Sequence, residues 1–165
     1  MFNYLKTFFV FLVISFFAVS CMQANEPPVR ETSLAPDFSL QDLGRNTFNL
    51  SSYRDKQPVI LFFWTTWCHF CRKELRVLKE LYPQLQKEGL ELLSIAVGEP
   101  NYKVENFAES YALNFKVLID RDTNVAEAYD ILGVPTYVLI DKKGRIVFRD
   151  NYFPKEKYKE LIYGQ

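Results

Sequence analysis

The residues of this chain that could do chemistry are few and close together. Cys68 and Cys71 stand in "TTWCHFC", directly behind the apolar run "PVILFFW". The chain has 3 cysteines in all and 1 histidine, His69, which lies between the pair. Two sulfurs at this spacing can exchange with a disulfide, help to hold a metal, or form a short structural staple. A structural zinc site takes four ligands. Cys68, Cys71 and His69 supply at most three, and adjacent residues do not easily share one small ion. A copper carrier would need a distant histidine, which the chain lacks. A staple closing so short a loop restrains little of the unfolded chain. Redox exchange is therefore the favoured reading, with no metal, and the metal clip and the inert staple are its alternatives.

The two sulfurs are expected to divide the work. A cysteine at a helix start meets unpaired backbone N–H groups and the positive end of the helix dipole, and both favour thiolate over thiol. Cys68 should be the exposed nucleophile. Cys71, one turn further in, suits the resolving role, attacking the mixed disulfide that Cys68 forms with a substrate. His69 reads as a partly exposed residue that tunes the pair; protonated, it would favour the Cys68 thiolate and make the protein a better oxidant.

Positioning such a pair takes a strand before it and a helix behind it. "PVILFFW" is apolar throughout, as in a strand buried on both faces. From Cys68 the period becomes helical, with Leu75, Leu78, Tyr82 and Leu85 on one face, a kink expected at Pro83, and Gly89 placed to end the helix. "LELLSIAVG" is a second buried strand. Asn101 is expected to cap a helix to about Tyr111, "KVLID" is a short strand, and Thr123 is expected to cap a helix whose apolar face holds Val125, Ala128 and Ile131. "PTYVLID", a "KKG" turn and "RIVFRD" make a strand pair, and a last amphipathic helix begins near Lys155. Before all of these, "DFSLQDLGRNTFNL" alternates around Gly44 as a hairpin does. Alternating strands and helices predict an α/β domain, residues 36–165, with a central mixed sheet flanked by helices. Cys68 falls where a loop leaves the carboxyl end of a strand, the usual place for a site in such sheets.

The rest of the chain speaks to location. Of 165 residues, 20 are basic and 20 acidic, so charge gives no pull toward nucleic acid. A hydrophobic fraction of 48% is enough to fill a core. The first segment carries Lys6 and then an apolar run from Phe8 to Val19, short for a spanning helix but suited to a secretory signal, with an uncleaved anchor as the alternative. It ends in "AVSC", which looks like the lipobox of bacterial lipoproteins and makes Cys21 the expected lipid attachment, although Ala18 stands where leucine is commonest. Residues 1–21 are thus expected to be signal or anchor. Residues 22–35, polar and carrying Pro27 and Pro28, read as a flexible tether.

"FFWTTWCHFCRKE" followed by "GVPTYVLIDKKGRIV" resembles the TlpA/ResA-like thiol–disulfide oxidoreductases of the thioredoxin fold. "AVGEP", "ESYALNF" and "LIDRDTNVAEAYDILGVP" resemble its ResA branch, which serves cytochrome c maturation. The resemblance spans roughly residues 36–149. It implies a thioredoxin-like fold with an N-terminal β-hairpin, membrane-tethered and extracytoplasmic. It implies a cis peptide bond before Pro135, beside the redox pair, leaving the backbone of Val134, with Thr136 beyond it, to pair with an extended substrate segment; a proline that merely starts a strand is the alternative. It implies Glu74 as the acid–base group for Cys71, a desolvated carboxylate with a raised pKa, against an ordinary solvated glutamate. Thioredoxins keep a buried aspartate in the strand before the pair; Phe62 stands there instead. Trp67 is expected to cover the pair and offer substrate a flat apolar face, or else simply to pack in the core. The group often has proline before the second cysteine, where Phe70 stands.

The expected function is reduction of disulfides in exported proteins, apocytochrome c among them. Cys68 and Cys71 act with no cofactor beyond their own disulfide, and a membrane thiol carrier returns the electrons. A peroxidase is the alternative within enzymes: Thr65 lies three residues before Cys68 as in peroxiredoxins, but Leu61 stands where that motif has proline. A metal carrier or binding module is the alternative outside enzymes.

Overall fold

The structure, a computed structural model, describes residues 33–164. The expected export signal, Cys21 and tether residues 22–32 lie outside the described residues. The chain order is β1 Ser39–Asp42, β2 Thr47–Asn49, a 3-10 turn Leu50–Tyr53, β3 Val59–Trp64, α1 His69–Lys87, β4 Glu91–Val97, α2 Asn101–Tyr111, β5 Lys116–Asp120, α3 Asn124–Ala128, β6 Thr136–Ile140, β7 Ile146–Asp150 and α4 Lys155–Tyr163. They build one sheet of 7 strands in the order β2-β1-β5-β4-β3-β6-β7. β3, β4 and β5 run parallel; β1, β2, β6 and β7 join antiparallel. The sheet is mixed and thioredoxin-like, as expected. The hairpin does not stand apart from it: Gln41 and Asp42 pair with Ile119 and Leu118 at the edge of β5.

β3 shows why an unbroken apolar run was needed. Successive side chains of a strand point to opposite faces. Ile60, Phe62 and Trp64 enter one core, with Leu75, Leu78, Tyr82 and Leu85 of α1, Val104 and Ala108 of α2 and Tyr158 of α4. Val59, Leu61 and Phe63 enter the other, with Val125 and Ala126 of α3, Tyr129, Leu50 and Phe38. Both faces are covered, so every position of β3 is buried.

Four local expectations are corrected. The N-cap of α2 is Pro100, and Asn101 is its first helical residue. Thr123 is the N-cap of α3, but its hydroxyl caps no backbone group. The carboxylate of Asp120 accepts from Val125 N and Ala126 N at 3.2 and 2.8 Å instead. α3 ends after five residues, so Ile131 lies beyond it, Ala128 faces solvent, and the buried face is Val125, Ala126 and Tyr129. Finally, the last residues assigned to the tether are part of the domain. Ala35 is buried and its N–H donates to Gly144 O at 2.8 Å, while Ile146 N donates to Ser33 O at 2.9 Å.

Pro83 sits inside α1, which continues past it. Proline has no N–H to give the carbonyl four residues back. That carbonyl, Lys79 O, accepts from the Asn114 side chain at 3.1 Å.

Candidate active site

The site is assembled where β3 hands over to α1. Cys68 is the N-cap of α1, in extended backbone conformation, and its sulfur accepts from Cys71 N at 3.1 Å. This is the helix-start environment that favours sulfur as an anion. Cys68 and Cys71 are joined as a disulfide, with Cα atoms 5.2 Å apart. Cys71 is fully buried and Cys68 is 6% exposed. The order matches expectation, but the pair is recessed further than an exposed nucleophile would be. The bonded sulfur of Cys68 turns inward against Val134, whose carbonyl oxygen is 3.7 Å away.

The peptide bond between Val134 and Pro135 is cis, as the resemblance implied. Val134, Pro135 and Thr136 are half-buried, and Thr136 donates its hydroxyl back to Gly133 O at 2.7 Å. Trp67 does not pack in the core: it is 67% exposed, as is Phe70. Leu132, just before the cis bond, is fully exposed. Single apolar side chains on a surface are ordinary; Trp67 and Leu132 on loops and Phe70 in the first turn of α1 together make an apolar rim around one recessed sulfur. His69 is exposed, its ring edge-on to Phe70 at 5.9 Å. Beside the pair lies an open groove of about 880 Å³, lined by Phe70, Lys73 and Glu74 of α1, the 130–136 loop, and Arg149 and Asp150 of β7.

Glu74 is half-buried and accepts a hydrogen bond from the Tyr137 hydroxyl at 2.6 Å. Tyr137 lies on β6 opposite Phe62, and the two rings are 4.6 Å apart. Burial, with the Glu74 hydrogen bond and charge behind it, pushes the Tyr137 hydroxyl far above its ordinary range, so it remains a donor. Phe62 thus presents an apolar ring on β3 beside Tyr137, and the carboxyl that Tyr137 meets comes from α1.

Three residues of the site are absent from the sequence reading. Tyr137 has a local signal: it lies two places after Pro135 on a strand, hence on the same face. Glu99 and Arg72 have none, because their partner is distant or on an irregular turn. Glu99 Oε2 accepts from Thr66 N and Oε1 from Thr66 Oγ1, both at 2.6 Å. Lys103 pairs with the same carboxylate at 2.6 Å. Arg72 Nε donates to Thr66 O at 2.9 Å. Thr66, two residues before Cys68, is therefore held at both its N–H and its carbonyl. Burial pushes the Glu99 carboxyl up, but the bonds from Lys103 and Thr66 outweigh it and leave the group below its usual range. The neighbouring Thr65 hydroxyl is buried with no hydrogen-bond partner among the described residues. No cluster of three or more His, Cys, Asp or Glu side chains among the described residues could hold a metal.

Comparison with known proteins agrees with this geometry. Residues 32–149 match the AhpC/TSA family. Thiol-disulfide oxidoreductase ResA of Geobacillus thermodenitrificans is 47% identical over 114 residues, which are 69% of this chain and 65% of that protein. The Bacillus subtilis protein of the same name is 38% identical over 124 residues, 75% of this chain and 69% of that one. The chain thus spans about two thirds of the length of these relatives. Among solved structures, a putative protein disulfide isomerase from Bacteroides thetaiotaomicron superposes with a TM-score of 0.72 at 27% identity, covering 82% of this chain and 92% of that one. A putative thiol:disulfide interchange protein DsbE from Chlorobium tepidum gives 0.72 at 22% identity, covering 82% and 97%, and supports the fold. With the recessed CxxC pair at the start of α1, the cis proline beside it and these matches, the chain belongs to the AhpC/TSA family of thioredoxin-fold proteins, on its ResA-like branch.

Proposed function

We propose that this protein is an extracytoplasmic thiol–disulfide oxidoreductase that reduces disulfides of exported proteins, apocytochrome c among the candidate clients. The observation that carries the reading is Cys68 capping α1, bonded to Cys71 and lying against the cis Val134–Pro135 bond. In the reduced protein the Cys68 thiolate attacks a client disulfide and forms a mixed disulfide. One client sulfur leaves as a thiolate and takes a proton from water. Cys71 then loses its proton to Glu74, its sulfur bonds to Cys68, and the second client sulfur is released. Two electrons pass to the client, and the pair ends oxidised. The oxidising compartment requires a reductant, a membrane dithiol carrier, to restart the cycle. Trp67, Phe70 and Leu132 give an extended client segment an apolar approach, and the Val134 backbone offers it strand-like pairing. Lipid on Cys21 tethers the protein to the membrane.

The test is insulin reduction by the protein beginning at Ser33. Cys68→Ser is expected to abolish it, and Cys71→Ser to accumulate mixed disulfides with clients. Equilibration with glutathione sets the direction: a potential close to that of strong oxidants would overturn the reductase reading in favour of an oxidase. A peroxidase is the second reading, favoured by the Thr65 hydroxyl, which lies three places before Cys68 and is buried with no partner among the described residues. Peroxide consumption that survives Cys71→Ser but not Cys68→Ser would select it.

A further inference from the structure

The carboxyl assigned to the proton step sits on a helix, and a side chain on a helix surface needs something to hold it. In this protein the second element is β6. Tyr137 reaches across from the strand and donates to Glu74 Oε2 at 2.6 Å. The tyrosine is itself fixed: its ring is fully buried, lies 4.6 Å from Phe62 and meets Phe153 edge-on at 5.7 Å. A buried ring with two aromatic neighbours has little freedom, so its hydroxyl is a fixed point from which to hold a mobile carboxyl. We propose that Tyr137 is the positioning residue of the acid–base step, holding Glu74 in place as the group that takes the Cys71 proton.

The proposal rests on the oxidoreductase reading and adds a mechanism of control to it. A hydrogen bond to a charged acceptor favours the charged form. Tyr137 therefore keeps Glu74 ready to accept a proton, and once Glu74 is protonated that bond weakens, which favours returning the proton. Orientation and the ionised state both come from one contact. It also accounts for Phe62: with no carboxyl on β3, the ring of Phe62 serves as the surface on which the tyrosine rests. Other charges share the groove: Lys73 on α1, Asp130 in the loop, and Arg149 and Asp150 on β7. These remain in place when only the hydroxyl is removed, so Tyr137→Phe isolates the one contact.

The experiment titrates the Glu74 side-chain carboxyl by NMR in the protein beginning at Ser33 and in its Tyr137→Phe variant. Alongside, the rate of release from a Cys68 mixed disulfide is followed from pH 4 to 9. Loss of the Tyr137 bond is expected to move the Glu74 midpoint upward relative to wild type, because a hydrogen bond to the carboxylate favours its charged form. The acidic limb of the rate profile should move the same way. Glu74→Gln should remove the limb, and the double variant should behave as Glu74→Gln alone. A Glu74 midpoint and limb unchanged in Tyr137→Phe would overturn the proposal, as would losses in the two single variants that simply add. A fall in melting temperature without a shifted limb would mark Tyr137 as a packing residue only, and would overturn it too. If the wild-type protein reduces no disulfide, the oxidoreductase reading fails by itself, and the Glu74 midpoint still decides whether Tyr137 holds that carboxyl.

Discussion

At the scale of single residues, the clamp on Thr66 sets where Cys68 can be. The turn from β3 to α1 has no regular hydrogen-bond ladder of its own. Glu99 fastens its N–H and hydroxyl from one side and Arg72 its carbonyl from the other. Replacing Glu99 with glutamine leaves a buried pair of donors poorly matched, at a cost of about 2 kcal/mol near neutral pH. The effect depends on pH, and its sign follows from the lowered carboxyl. A group whose folded-state pKa is depressed contributes stability in full above its unfolded value, about 4.3 for glutamate. That contribution disappears as pH falls through the lower folded-state value. Wild type is therefore expected to lose stability more steeply than Glu99→Gln below about pH 4.5, the two curves converging in acid. Urea melts at a series of pH values check this, and parallel curves would contradict it.

At the scale of elements, two helices depend on side chains supplied from neighbours in space. α3 has five residues and no cap from Thr123; its free N–H groups are met by Asp120 at the end of β5. Asp120→Ala should cost about 1 to 2 kcal/mol, as cap removals do. Thr123→Ala should cost a few tenths, because its hydroxyl meets only the exposed Glu127 side chain. A larger loss for Thr123 than for Asp120 in urea melts would reverse this account. α1 has the opposite problem, a carbonyl that Pro83 leaves without a donor. Asn114 fills it, and Lys79 returns a bond to Tyr111 O at 3.0 Å. The end of α2 and the loop into β5 are in this way tied to the helix that carries the cysteines, one turn before Pro83. Asn114→Ala should cost up to about 1 kcal/mol through loss of its bond to the exposed Lys79 carbonyl. The pairing Asn114→Ala with Pro83→Ala should recover most of it, since alanine restores the helical N–H.

At the scale of the whole molecule, the sheet is closed at both ends by pieces added to its core strands. The hairpin β1–β2 covers the free edge of β5, and β7 follows β6 on the other side. The segment 33–35 crosses to the β6–β7 turn, far from the hairpin in the strand order. A protein beginning at Pro36 loses two backbone hydrogen bonds and the buried Ala35. At about 1 kcal/mol per bond this is about 2 kcal/mol, or a melting temperature lower by about 4 to 8 °C. Calorimetry of proteins beginning at residues 33 and 36 measures it directly. Equal melting temperatures would mean that the bridge to Arg145 adds nothing in solution.

What the sequence determined by itself was whatever is written in near neighbours. The buried strand "PVILFFW", the helical period after Cys68, the turn at Gly144 and the spacing of the redox pair are local patterns, and local backbone geometry turns them into elements. The cis bond before Pro135 was legible through resemblance alone, since spacing does not determine the isomer of a proline. Which groups serve the pair depends on how the folded chain brings distant segments together. Glu99 lies 33 positions from Thr66, and nothing near either marks the partner; Tyr137 lies 63 positions from Glu74, and strand alternation gives its face but not the carboxyl it meets. The same holds for Asp120 displacing Thr123 as the working cap and for Asn114 answering Pro83. Hydrogen-bonding groups are satisfied by whatever the packed sheet brings within about 3 Å, and that choice exists only once the two apolar faces of β3 have drawn the helices into place.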